Sequence, residues 1–184
     1  HTDFLFVEPE SQHLRQAYDD QQTCFSPNPF EYLALAAKER LLELQNIDLA
    51  EKFHLDQMTN LIIQNTILKS YAVQKTDPEW LWQNRKSLFF KPQRSFGGKA
   101  VFHGDTLRRK AFAAVLEGDY IAQELAVPPQ IEFQNETNQK VNFKYDLRFY
   151  AYRNKIQLGM ARLFQGPMTN MRTAGGGWAA LDPV

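Results

Sequence analysis

The chain has 184 residues, 43% of them hydrophobic, which is enough to bury the core of one domain or of two small ones packed together. Lys plus Arg and Asp plus Glu are both 21, so a formal net charge of zero supplies no global field to recruit nucleic acid or anionic lipid, and any anion site has to be local. A single cysteine, Cys24, excludes an internal disulfide, the four histidines lack metal-ligand spacing, and no apolar run approaches the roughly 20 residues that span a bilayer.

Residues 3–7 (DFLFV), an apolar run closed by Pro9, read as a buried strand. Ser11 is placed to cap a short helix ending near Tyr18. The prolines of Ser26-Pro27-Asn28-Pro29 bar helix until Pro29 takes a first-turn position. Beyond it Leu33, Ala37, Leu41 and Leu44 recur at helical spacing against Lys38, Glu39, Arg40 and Glu43, which predicts one helix over 30–44. Another helical stretch is predicted over 49–73, broken near His54-Leu55-Asp56 with Asp56 as the second cap. Asp77-Pro78-Glu79 then opens a short helix, with Asp as cap, Pro in the first turn and Glu near the positive end of the dipole.

From Ser87 the apolar period changes to two. Residues 88–91 predict a strand, 99–102 its return, and Asp105 a cap for a helix through Leu116 that Gly118 ends. Residues 120–126 predict a further strand, which Val127-Pro128-Pro129 breaks. The alternating runs 141–152 and 156–164, joined by Arg153-Asn154-Lys155, predict an antiparallel hairpin. Helices first and a mainly antiparallel sheet later predict an α+β fold, divided into an N-terminal part over 1–86 and a sheet-rich part over 87–184.

The segment 89–101, FFKPQRSFGGKAV, concentrates chemistry. Lys91 ends an apolar strand, and Pro92 leads into a loop with Arg94, Ser95, Gly97, Gly98 and Lys99. Glycines let the main chain approach and donate hydrogen bonds to phosphate oxygens, while the cations neutralise charge, so the combination suits a polyphosphate. A hairpin turn would use the same glycines for positive φ alone. Neither the GxxxxGK[ST] spacing of a P-loop nor a GxGxxG fingerprint is present.

This segment resembles the phosphate-clamping strand and loop of the ATP-grasp superfamily, in particular its glutathione synthetase and ribosomal-protein glutamate ligase branches. Pro27-Asn28-Pro29 ahead of Lys38 resembles the family's asparagine-proline turn and first ATP-binding lysine. Tyr120-Ile121-Ala122-Gln123-Glu124-Leu125 resembles its hinge strand, Asp146-Leu147-Arg148 its Asp-x-Arg strand, and Ala161-Arg162 with GPMTNMRTAGGG its Ala-Arg strand and asparagine loop. The family's later Glu-x-Asn strand, which usually supplies magnesium ligands, does not occur downstream of Asn170.

The resemblance implies an ATP-grasp-like fold that clamps nucleotide, and an ATP-dependent carboxylate–amine or carboxylate–thiol ligase working through an acylphosphate. Lys38, Lys91, Arg94, Ser95, Gly97, Gly98, Lys99, Gln123, Glu124 and Leu125 would hold ATP, Arg148 and Arg162 would face the transferring phosphate, and Asp146 and Asn170 would ligate Mg²⁺. An ATP-grasp kinase and a non-catalytic nucleotide- or partner-binding module are the alternatives. The expected partner is a small-molecule or peptide carboxylate, with neither nucleic acid nor membrane, in the cytoplasm. Because the sequence begins at His1 rather than Met, a fragment lacking an N- or C-terminal domain, or a homo-oligomer, is also left open.

Plainer readings accompany these assignments. Lys38 lies on the charged face of an amphipathic helix, and Asp146 and Arg148, two apart on a strand, would form a weak surface pair. Arg162, set between Met160-Ala161 and Leu163-Phe164, needs a partner or an open cavity, because an unpaired buried charge is costly.

Overall fold

A computed structural model of the protein describes residues 4–46, 48–94, 100–134 and 137–181. They form an α+β structure of two compact units, His1–Leu125 and Ala126–Val184, each with its own four-stranded antiparallel sheet. The division lies at 125/126 rather than 86/87 because strand pairing ties residues on both sides of position 86 into one sheet.

The first unit opens with α1 (Phe4–Val7), a 3₁₀ turn (Pro9–Ser11) and α2 (Gln12–Asp19). The strand expected over 3–7 is instead helical over its described part. A short apolar run fits a buried strand or a helical turn equally well. Here Leu5 is buried and the Phe6 ring meets Tyr18 of α2 edge-on at 6.5 Å between centroids, so packing on α2 decides. Ser11 precedes α2 as expected but makes no side-chain capping bond.

Asn28 caps α3 (Pro29–Leu35), its Oδ1 accepting the Glu31 N–H at 2.8 Å with Pro29 in the first turn. The single helix predicted over 30–44 is broken: α3 ends at Leu35 and α4 spans only Arg40–Glu43. In the gap the Lys38 N–H donates to Gln93 O at 3.2 Å, so a tertiary partner takes the donor that an unbroken helix would have bonded to residue 34. α5 (Leu49–Lys52) and α6 (Gln57–Thr66) follow, and Asp56 caps α6 by accepting the Thr59 N–H at 2.9 Å and its hydroxyl at 2.6 Å. The helix predicted to reach residue 73 stops at Thr66, and β1 (Ser70–Ala72) replaces its end. Asp77 caps α7 (Pro78–Asn84) by accepting the N–H groups of Glu79 and Trp80.

Strands β2 (Leu88–Pro92), β3 (Phe102–His103) and β4 (Tyr120–Glu124) complete the first sheet, in the order β1-β4-β2-β3. The helix before β4, α8 (Arg109–Glu117), has Arg108 and not Asp105 at its N-cap position, and the Asp105 segment forms a turn. Alternation divides this sheet into two faces. Leu88, Phe90 and Ala122 pack against Leu81 of α7 and Phe112 and Val115 of α8, making the buried core with Val73 and Leu107. Ser70, Phe89, Lys91, Ile121 and Gln123 lie on the opposite face.

The second unit contains β5 (Gln130–Gln134), β6 (Lys140–Tyr152), β7 (Lys155–Phe164) and β8 (Gly177–Ala180), paired in that order. The β6–β7 hairpin is as predicted. Arg153 and Asn154 both have positive φ, 46° and 61°, the backbone of a two-residue turn that matches strand twist. Strand β5 and strand β8 are additional to the strands predicted from sequence. Gly175, at φ +69°, approaches Phe143 so closely that a Cβ there would lie 2.7 Å from the ring. No helix among the described residues is long and apolar enough to cross a membrane.

Candidate functional site

Across three strands of the first sheet runs a row of polar side chains on one face. Ser70 on β1 is the register partner of Gln123 on β4, and Lys91 on β2 lies diagonal to Gln123, whose direct partner is Phe89. The Lys91 ammonium donates to Gln123 Oε1 at 2.6 Å. Gln123 Nε2 donates to Ser70 Oγ at 3.1 Å, and the Ser70 hydroxyl donates to Leu68 O at 3.2 Å. From beyond α4, Gln45 Oε1 accepts the Ser70 N–H at 2.9 Å while its Nε2 donates to Leu41 O at 2.7 Å.

Lys91 is half-buried, and burial, followed by the nearby positive charge of Lys38, holds its pKa below the ordinary lysine value. Burial likewise lowers Lys38. Among the described residues no carboxylate forms an ion pair with Lys91. Two desolvated cations near each other, one of them bonded to a neutral amide, are a local arrangement that favours a bound anion. The Lys38 N–H bond to Gln93 O ties the segment between α3 and α4 to the residue just past β2, which is what brings the two lysines together.

Other predicted nucleotide residues are dispersed. Arg94 is exposed, and Ser95, Gly97, Gly98 and Lys99 lie outside the described residues. Glu124 projects to the face opposite Gln123, toward Tyr71, and burial, followed by the negative charge of that carboxylate, raises the tyrosine's pKa. Its N–H donates to Lys69 O at 2.8 Å, and that of Leu125 donates to Ser87 O at 2.9 Å, so both donors are engaged within the unit.

In the second unit Asp146 and Arg162 are register partners on β6 and β7 and form a bidentate pair, Nε to Oδ1 at 2.5 Å and Nη2 to Oδ2 at 2.8 Å. Thr169 Oγ1 also donates to Asp146 Oδ2 at 2.8 Å. Arg148, exposed, lies over the Tyr150 ring at 5.8 Å and donates to its hydroxyl at 3.4 Å, so Asp146 is partnered by Arg162 and not by the arginine two residues along. Asn170 Oδ1 accepts the Arg172 N–H at 3.0 Å and serves its own turn. Magnesium prefers open, hard oxygen donors. Both oxygens of Asp146 are engaged by cationic or hydroxyl donors and Asn170 caps a turn, so this pair as arranged does not fit the ion; among the described residues no group of three or more His, Cys, Asp or Glu could hold a metal.

Ser70, Gln45 and Thr169 were not singled out by sequence reasoning. Ser70 falls in a stretch that looks helical and Gln45 just past the end of another, and residues 68–73 (LKSYAV) show no period-two alternation to mark the strand. Comparison with known protein families and with characterised proteins yields no match.

Proposed function

We propose that the face carrying Lys38, Lys91 and Gln123 binds the phosphates of a nucleotide, and that the chain is an ATP-dependent carboxylate–amine or carboxylate–thiol ligase of the ATP-grasp type. The observation that carries this reading is the half-buried Lys91, bonded to a neutral amide and with its pKa lowered by burial and then by the charge of a second lysine, Lys38. Polyphosphate is the ligand such a pair favours, because an anion relieves the mutual repulsion and restores the charge-assisted bonds that burial has removed. The ligase reading itself rests on the motif series from Asn28 to Asn170. In that chemistry a substrate carboxylate attacks the γ-phosphate, giving an acylphosphate and ADP, and an amine or thiol then displaces phosphate. Catalysis is mostly positioning and charge neutralisation, work suited to cations. No step is assigned to magnesium.

Adding ATP to the whole chain is expected to raise its melting temperature, as any ligand selective for the folded state does. Lys91→Met removes one charge-assisted contact worth about 2 kcal/mol, or roughly 30-fold in Kd, and is expected to remove most of that shift. An unchanged shift in Lys91→Met would place the nucleotide elsewhere. ADP release that needs a carboxylate and an amine or thiol together identifies a ligase; release with a hydroxyl compound alone identifies a kinase.

One observation favours the non-catalytic alternative. Asp146 is closed by Arg162 and Thr169, which suits a nucleotide-binding module that lacks metal chemistry. That reading predicts a thermal shift with ATP that is the same with and without Mg²⁺, and no ADP release with any acceptor.

A further inference from the structure

We propose that Ser70 is a positioning residue that fixes the orientation of the Gln123 amide and through it holds the Lys91 ammonium at the anion-binding face. The proposal rests on the reading of Lys91 as a phosphate anchor.

A primary amide can present either its oxygen or its NH₂ group in a given direction, and hydrogen-bond partners decide which. Leu68 O is a pure acceptor 3.2 Å from Ser70 Oγ, so it takes the hydroxyl hydrogen. Ser70 Oγ then has only lone pairs to offer, and the atom facing it at 3.1 Å has to be the Gln123 NH₂ group. The oxygen of the amide is thereby aimed the other way, at Lys91 Nζ, 2.6 Å distant. Gln123 is buried at 7% exposure and Ser70 at 8%, so neither has free access to water as a substitute partner. Gln45 secures the far end of the relay by accepting the Ser70 N–H.

The neutrality of the amide matters as much as its direction. A carboxylate at position 123 would hold Lys91 equally well but would neutralise it, competing with any incoming anion. A glutamine fixes the ammonium in place and leaves its charge for the ligand.

The test is an NMR titration of the Lys91 side chain in the whole protein, paired with calorimetric binding of inorganic tripolyphosphate. A hydrogen bond to the charged form favours that form, so loosening the amide in Ser70→Ala is expected to lower the Lys91 pKa further and weaken tripolyphosphate about fivefold, the worth of one modest hydrogen bond. Ser70→Thr, which keeps the hydroxyl and suits a strand, is expected to restore both. Gln123→Glu is expected to raise the Lys91 pKa while weakening tripolyphosphate, a pairing that a purely structural role would not produce. Should Ser70→Ala not fold, Gln123→Met breaks the relay at its middle and is expected to lower the Lys91 pKa likewise. A folded Ser70→Ala protein whose Lys91 titration matches the unmodified chain overturns the proposal. Failure of the unmodified chain to bind tripolyphosphate overturns the nucleotide reading instead, and the Lys91 titration still decides the part played by Ser70.

Discussion

The Lys91 ammonium is held where burial and the charge of Lys38 both disfavour it, and this has a consequence for stability that can be measured without any ligand. A lysine whose folded pKa lies below its unfolded value binds fewer protons in the native state than in the unfolded one between those two values. Stability therefore rises with pH from the folded pKa up toward 10.5, and below the folded pKa the penalty for charge is fully present. Tyr71 and Tyr120 act with the opposite sign, since their raised pKa values favour the neutral form and cost stability above about pH 10. The difference between the unmodified chain and Lys91→Met isolates the lysine. Lys91→Met removes the charge penalty but leaves the buried Gln123 Oε1 without its donor, so only the pH dependence of the difference reports the charge: the unmodified chain is expected to gain in melting temperature relative to Lys91→Met as pH rises toward 10.5. A difference constant with pH would mean that Lys91 is not strained by its charge.

Asp146 presents the converse case at the same scale. Its removal leaves the Arg162 guanidinium, whose side chain is 23% exposed, without its bidentate partner. Asp146→Ala is expected to destabilise the second unit by about 1–2 kcal/mol, reduced from the full cost of orphaning a buried charge by the partial access to water, as read from thermal melts. Sequence reasoning found both members of this pair but coupled Asp146 to Arg148. Residues two apart share a face and invite that pairing, whereas the actual partner is set by the register of the hairpin, which a linear pattern does not display.

Elements were legible where their ends are marked by chemistry local to the chain. Asp56 and Asp77 cap the helices that they were read to cap, Pro29 takes the first-turn position read for it, and Arg153-Asn154 turns the hairpin. Elements were misread where distant groups decide. The heptad-like apolar spacing over 30–44 continues through a break made by Gln93 O, and 70–72 is a strand only because β4 lies beside it. Gly104 shows how such tertiary closeness constrains sequence. A Cβ there would lie 1.8 Å from Arg85 O and 2.8 Å from Leu88 O, both backbone atoms that cannot step aside like a side chain. Gly104→Ala is accordingly expected to destabilise the first unit by about 3 kcal/mol, at the upper end of overpacking costs, seen as a lowered denaturant midpoint. A near-neutral result would show that the turn after β3 can move away from the 3₁₀ segment Arg85–Ser87 at no cost.

At the scale of the whole molecule the two units are unequal. The large buried cluster, with Leu81, Phe90, Phe112 and Val115 at 3% exposure or less, belongs wholly to the first, as do all four members of the relay from Gln45 to Lys91. In the second unit Phe143 and Phe164 are buried, but Ile131, Phe133, Leu147 and Phe149, which lie on one face of its sheet, are 40–54% exposed. A polypeptide of about 60 residues is marginal even with a well-enclosed core. Residues 1–125 alone are thus expected to unfold cooperatively and to bind tripolyphosphate with a Kd within about threefold of the whole chain, since no hydrogen bond of the relay leaves that unit. Residues 126–184 alone are expected to melt without cooperativity and to bind a hydrophobic dye. Full affinity in 1–125 would assign phosphate binding to the lysine face by itself, so that Arg148 and Arg162 could contribute only to the chemistry that follows. Loss of affinity on removing 126–184, with 1–125 still folded, would show that cations of the second unit reach the same anion.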